Sequence, residues 1–148
     1  YKALLDALPS NTGMAFVFIS HIDPTAISQL AQILSRHSKM PVMVASTAMP
    51  IRANHVYVIP PRADLLIKSY TFKTALRAAG GAVQIDLLFI SLAKAMGARA
   101  IGIILSGYLA DGTEGCKHIK ANGGTTFAQD MSAEADGMPL SAQAFRLY

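Results

Sequence analysis

The sequence predicts an α/β fold with a mostly parallel sheet and helices on both faces. Two apolar runs, "MAFVFISHI" and "ARAIGIILS", are too unbroken for a sheet with one face in water. Segments of helical period lie between the strand-like segments, the alternation that parallel sheets need. The chain has 148 residues, 52% of them hydrophobic, enough for one domain with its own core.

The elements follow in order. "YKALLDALP" places Leu4, Leu5 and Leu8 at helical spacing and stops at Pro9. "SNTG" is a loop, and "MAFVFISHI" the first buried strand. "DPTAISQLAQILSRHS" reads as a helix with Pro24 in its first turn and Ile27, Leu30, Ala31 and Leu34 on one face. "PVMVAS" and "HVYVIPP" are short strands, and "DLLIKSYTFKT" is a further strand or a hairpin. "AAGGA" is a flexible joint. "QIDLLFISLAKAMG" is a helix with an apolar stripe, a late Lys94 and a terminal Gly97. "ARAIGIILS" is the second buried strand, "DGTEGCKHIKANGG" a short helix, "TTFAQD" a strand and "MPLSAQAF" a last helix.

Composition narrows the function. Thirteen basic residues against nine acidic give a net charge of +4, with no basic run and no Trp. A nucleic-acid footprint or base-stacking platform is not expected. A single cysteine, Cys116, excludes an internal disulfide and a cysteine-based metal site, and reads as a small buried hydrophobe. No apolar stretch reaches the roughly 20 residues of a membrane helix, and no leader is visible, so no membrane insertion and a cytoplasmic location are expected.

Sites in such folds lie beyond the C-terminal ends of the strands. There the sequence places His21 and Asp23, then Asp111, then Gln129 and Asp130. An acid that accepts an imidazole N–H fixes its tautomer and frees the other nitrogen to activate a nucleophile. Each residue also has a plainer reading. His21 suits a strand-end histidine bonded to backbone, and Asp111 suits the N-cap of the helix after it. A metal site of His21, Asp23 and Asp111 lacks a close ligand pair on a helix. His37, His55 and His118 are expected at the surface. A nucleophile is missing: no G-x-S-x-G occurs, Ser20 points away from His21 on the same strand, and Ser106 shares a loop with Asp111. No glycine fingerprint for a nucleotide is present either, which counts against a nucleotide-binding domain.

"SHIDP", "PVMVAS", "VYVIPP", "IDLLFISLA", "RAIGIILSG", "DGTEG", "GGTTFAQD", "SAEADGMP" and "SAQA" occur in the order found in the CheB-type chemotaxis methylesterase domain. The chain resembles that family over essentially its whole length. The resemblance implies a doubly wound, Rossmann-like three-layer domain with a Ser-His-Asp triad and no cofactor. It implies hydrolysis of glutamate γ-methyl esters on the cytoplasmic helices of methylated chemoreceptors, with glutamine deamidation in some members. A fused or associated receiver or CheR-type methyltransferase domain is the expected partner.

Residue by residue, His21 matches the family histidine, with Ser20 in place of the usual Gln. Asp111 matches the acid of the S/T-G-x-G-x-D-G segment. Tyr108 matches the residue whose backbone N–H helps hold the oxyanion, and Met138 and Pro139 match the G-M-P segment that lines the site. The family serine lies in an S-x-G-G turn that would precede Tyr1. The domain is therefore expected to span residues 1–148, truncated before its nucleophile, and this fragment alone is expected to be inactive. The family glycine between Tyr108 and Asp111 is replaced by Leu109-Ala110, and its Asp-Gly before "VYVIPP" reads "TAMP". Leu109 keeps open an alternative, a catalytically inactive CheB-like binding or regulatory module.

Overall fold

The computed structural model describes residues 1–20, 27–77, 83–105 and 111–129, with the side chains of Ile27 and Ser28 also outside the description. It divides into two compact units: Tyr1–Leu65 with Tyr70–Arg77, and Leu66–Ser69 with the described part of Ala78–Tyr148.

The first unit opens with helix α1 (Lys2–Ala7), strand β1 (Ala15–Phe18) and helix α2 (Ile27–His37), then strands β2 (Val42–Val44) and β3 (His55–Val58). β3 is central, with β1 and β2 both parallel to it. The register sets Ala15 beside His55 and Phe18 beside Val58 on one side, and Val44 beside Val58 on the other. The helical stripes read from the sequence supply the packing. Leu5 from α1 and Leu34 from α2 join Phe18, Met40, Val56 and Val58 in one buried cluster, with Leu4, Leu8, Leu30 and Ala31 against it. Burying a leucine fully contributes about 1.5–3 kcal/mol.

Polar groups tie the loops of this unit. Tyr57 is buried edge-on against Phe72, with ring centroids 4.9 Å apart. Its hydroxyl accepts from the Arg52 N–H at 2.9 Å and donates to the Pro50 carbonyl at 3.1 Å, so the phenol leaves neither bond unmade. Ala48, in the "TAMP" turn, sits at φ 66°, where a side chain is strained. His37 and His55 are partly exposed, as expected of surface residues, and each ring is held by a neighbour. His37 Nδ1 lies 3.0 Å from Asp6 Oδ1, and His55 stacks on Tyr57 with its Nδ1 2.8 Å from the Ala53 carbonyl.

The "DLLIKSYTFKT" stretch is a hairpin: β4 (Ala63–Lys68) and β5 (Thr71–Leu76) form a two-stranded sheet. Its two-residue turn, Ser69-Tyr70, has both residues at positive φ, as the hairpin twist demands.

The second unit carries helix α3 (Gln84–Met96), a single 3₁₀ turn, strand β6 (Ile101–Ile104), helix α4 (Thr113–Ala121) and strand β7 (Thr125–Ala128). α3 ends at Gly97, as its sequence indicates. β6 and β7 are parallel, with Ile101 beside Thr125 and Ile104 beside Ala128. Ala93, Ala100 and Ile119 form the buried centre, with Phe89, Leu92 and Met96 packed on it. β6 is not buried along its length: Gly102 and Ile104 are buried, while Ile101 and Ile103 are 46% and 44% exposed. An apolar run shows that a strand suits the interior, but not how well each face is covered. His118 is exposed on α4, as expected. The "AAGGA" joint and the last predicted helix lie outside the described residues.

Candidate functional site

Of the strand-end candidates read from sequence, the structure describes Asp111 and Gln129. His21, Asp23, Tyr108, Leu109, Asp130, Met138 and Pro139 lie outside the described residues. Of the third strand end, Gln129 is described. Its N–H donates to the Ile104 carbonyl at 2.8 Å and extends the β6–β7 ladder by one bond.

Asp111 follows β6 in chain order, in the connection from that strand to α4. It is 5% exposed. An ionised carboxylate so placed needs donors around it. It finds two on another helix: Oδ2 accepts from the Ile85 N–H at 2.8 Å and Oδ1 from the Asp86 N–H at 2.9 Å. These N–H groups belong to the first turn of α3, whose N-cap is Val83, a residue with no capping oxygen. The partial positive charge of that helix end favours the carboxylate further.

Asp111 therefore caps the first turn of α3. Gly112 is the N-cap of α4, at φ 102°. Only glycine adopts this backbone readily, and a Cβ there would lie 2.7 Å from Ile104 Cδ1. The first turn of α4 is capped instead by Asp86, whose Oδ1 accepts from the Gly112 N–H at 3.0 Å and the Gly115 N–H at 2.7 Å. Each helix thus takes its cap from an acid bound to the other. The sequence reading missed Asp86. The signal was an acid in the first turn of a helix with an apolar N-cap.

This arrangement places two carboxylates side by side. Burial raises the Asp86 carboxyl above its ordinary 3.8, and the negative charges of Asp111 and Glu114 add to the rise. The Gly115 and Gly112 N–H groups oppose it. Cys116, one turn into α4, is buried, as its sequence context indicates. Burial first, and then the Asp86 charge, push its thiol up to about 11. At neutral pH it is held as the thiol.

In the first unit, the end of β1 leads toward His21. Tyr1 stacks on Phe18 with centroids 4.9 Å apart, and its hydroxyl donates to the Ile19 carbonyl. Among the described residues, no group of three or more His, Cys, Asp or Glu is placed to hold a metal ion, and no helix is long and apolar enough to cross a membrane.

Comparison with known proteins agrees with this architecture. The solved catalytic domain of Thermotoga maritima CheB methylesterase superposes with a TM-score of 0.90 at 25% identity, covering 97% of this chain and 79% of that one. The parallel strands and helices are thus those of a Rossmann-like α/β fold, as the sequence predicts. A putative protein-glutamate methylesterase/protein-glutamine glutaminase of Leptospira interrogans is 34% identical over 145 residues, which cover 95% of this chain and 75% of the relative. A protein-glutamate methylesterase/protein-glutamine glutaminase from Hydrogenovibrio crunogenus is 32% identical over 148 residues, 95% of this chain but 39% of its own length. The CheB methylesterase family model matches residues 1–147. The chain belongs to the CheB methylesterase family.

Proposed function

We propose that this chain is the catalytic part of a protein-glutamate methylesterase that acts on methylated chemoreceptor helices in the cytoplasm, with glutamine deamidation as a second activity. The carrying observation is Asp111: a buried carboxylate after a parallel strand, held by two backbone N–H groups. A carboxylate offers about four lone-pair sites. In this reading one of them accepts an imidazole N–H.

In this reading a serine upstream of Tyr1 attacks the ester carbonyl carbon. His21 takes the serine proton while Asp111 orients the ring and stabilises its cation. Backbone N–H groups, Tyr108 among them, hold the tetrahedral oxyanion. The intermediate collapses, the C–O bond to the methoxy group breaks, and His21 protonates the departing methanol. Water activated by His21 then cleaves the acyl-serine and leaves glutamate. Met138 and Pro139 line the site. With glutamine the same steps release ammonia. No cofactor takes part. The receiver or methyltransferase domain is a partner in the whole protein, and the residue 1–148 span is one catalytic domain that takes its serine from the preceding segment.

The test is methanol release from a methylated receptor by the whole protein with its upstream segment. His21→Ala and Asp111→Asn should each lower the rate by about 10⁴-fold. Undiminished release in either variant overturns the triad. The replacement of the family glycine by Leu109-Ala110 favours one other reading, an inactive binding module. Receptor binding without methanol release by the unaltered protein would establish it.

A further inference from the structure

We propose that Asp86 is a positioning residue for Asp111: by binding the Gly112 and Gly115 N–H groups it fixes the backbone from which the Asp111 carboxylate projects. This rests on the methylesterase reading for its effect on rate, and on geometry alone for its effect on Asp111.

The geometry is a closed ring of bonds. Asp111 oxygens receive the Ile85 and Asp86 N–H groups at 2.8 and 2.9 Å, and an Asp86 oxygen receives the Gly112 and Gly115 N–H groups at 3.0 and 2.7 Å. The Asp86 backbone and side chain therefore both bear on the Asp111–Gly112 pair. An acid at the third helical position ordinarily reaches back to its own N-cap N–H. Asp86 binds the start of α4 instead. α4 itself offers no side-chain cap, because its N-cap is Gly112. Without Asp86, the Gly112 and Gly115 N–H groups lose their acceptor and the left-handed Gly112 loses its brace. The backbone that carries the Asp111 carboxylate then lacks the Asp86 side chain that fixes it. The brace also persists against cost, since burial and the neighbouring Asp111 charge both disfavour an ionised Asp86.

The position matters for the reaction because triad catalysis depends on fixed orientation. A displacement of about 1 Å at a supporting residue can cost on the order of a hundredfold in rate. Asp86 touches no reacting atom in this scheme. It acts through Asp111.

The experiment uses the whole protein with its upstream segment and compares Asp86→Ala with Asp86→Asn. An asparagine carbonyl can accept both N–H groups without the charge. In Asp86→Ala, kcat should fall by on the order of a hundredfold, with KM nearly unchanged. Asp86→Asn should restore most of the lost kcat. Amide hydrogen exchange supplies a readout independent of activity. In Asp86→Ala the Gly112 and Gly115 amides should exchange faster, and so should the Ile85 amide, which binds Asp111 rather than Asp86. If Ile85 stays protected, Asp86 is only a helix cap and the proposal is overturned. If Asp86→Asn folds and keeps Gly112 and Gly115 protected, yet loses on the order of a hundredfold in kcat relative to the unaltered protein, charge rather than position is its role, and the proposal is again overturned. That arm decides the matter even if the alanine variant does not fold. If the unaltered protein releases no methanol, the methylesterase reading fails, and the Ile85 exchange still decides the positioning role.

Discussion

The cluster between α1, α2 and the first sheet, and the corner where α3 meets α4, are held by different forces. The first is an apolar stripe on each helix against a parallel sheet, with Leu5, Leu34, Val56 and Val58 at its centre. The second is held by exchanged carboxylates and by a glycine that lets the helices touch. A Cβ on Gly115 would lie 2.4 Å from Phe89 Cβ. Hydrophobic burial is non-directional and tolerates small shifts. Hydrogen bonds between helix ends are directional and fix a side chain in one place. The first region is suited to stability and the second to aim.

Perturbing each region in turn should separate these roles. Leu34→Ala should cost the most, about 2–5 kcal/mol of unfolding free energy in urea titrations. The kcat of the protein that remains folded should be unchanged. A matching loss of kcat would erase the distinction.

Gly115→Ala should cost about 1–3 kcal/mol by overpacking. Unlike Leu34→Ala, it should also lower kcat at temperatures where the protein is fully folded, because Gly115 must move away from both Phe89 and Asp86. Full activity in a folded Gly115→Ala protein would show that the corner tolerates displacement.

A smaller effect concerns pH. The folded protein holds the Asp86 proton more tightly than the unfolded chain, because the carboxyl is raised in the fold. The stability that Asp86 contributes is thus complete below its ordinary value of 3.8 and is lost as pH rises through the raised folded value. Asp86→Asn should therefore gain on the parent protein as pH rises from 4 toward 7. Denaturant midpoints at intervals across that range check it, and a gain on acidification instead would reverse the assigned cause.

The smallest effect is chemical. With its thiol raised to about 11, Cys116 should react with iodoacetamide at pH 8 more than about a hundredfold slower than free cysteine, until the protein is unfolded. Fast labelling of native protein, read by mass, would place the thiol in a more open setting.

The elements of the first region were legible because their signals are local. Leu4, Leu5 and Leu8, and Leu30, Ala31 and Leu34, are the residues that pack there. The sequence does not separate a strand from a hairpin here, because Ser69-Tyr70 is not the usual pair for a turn with two positive φ values. Asp111 was legible from the rule that sites follow parallel strands, but its partners were not. A sequence shows an acid before a helix and suggests that it caps that helix. That Asp111 instead serves α3, 26 positions back along the chain at Ile85, depends on how the two helices meet. Asp86 was hidden for the same reason.

Gly112 and the bonds around Asp111 also bear on how this domain can change. The β6–α4 connection has two anchors: Ile104, paired with Ala128 in the ladder, and Asp111, tied to α3. A graft confined to the chain between Ile104 and Asp111 keeps the residues that make both attachments, so relatives can exchange sequence there while the bonds that hold the frame stay encoded outside it.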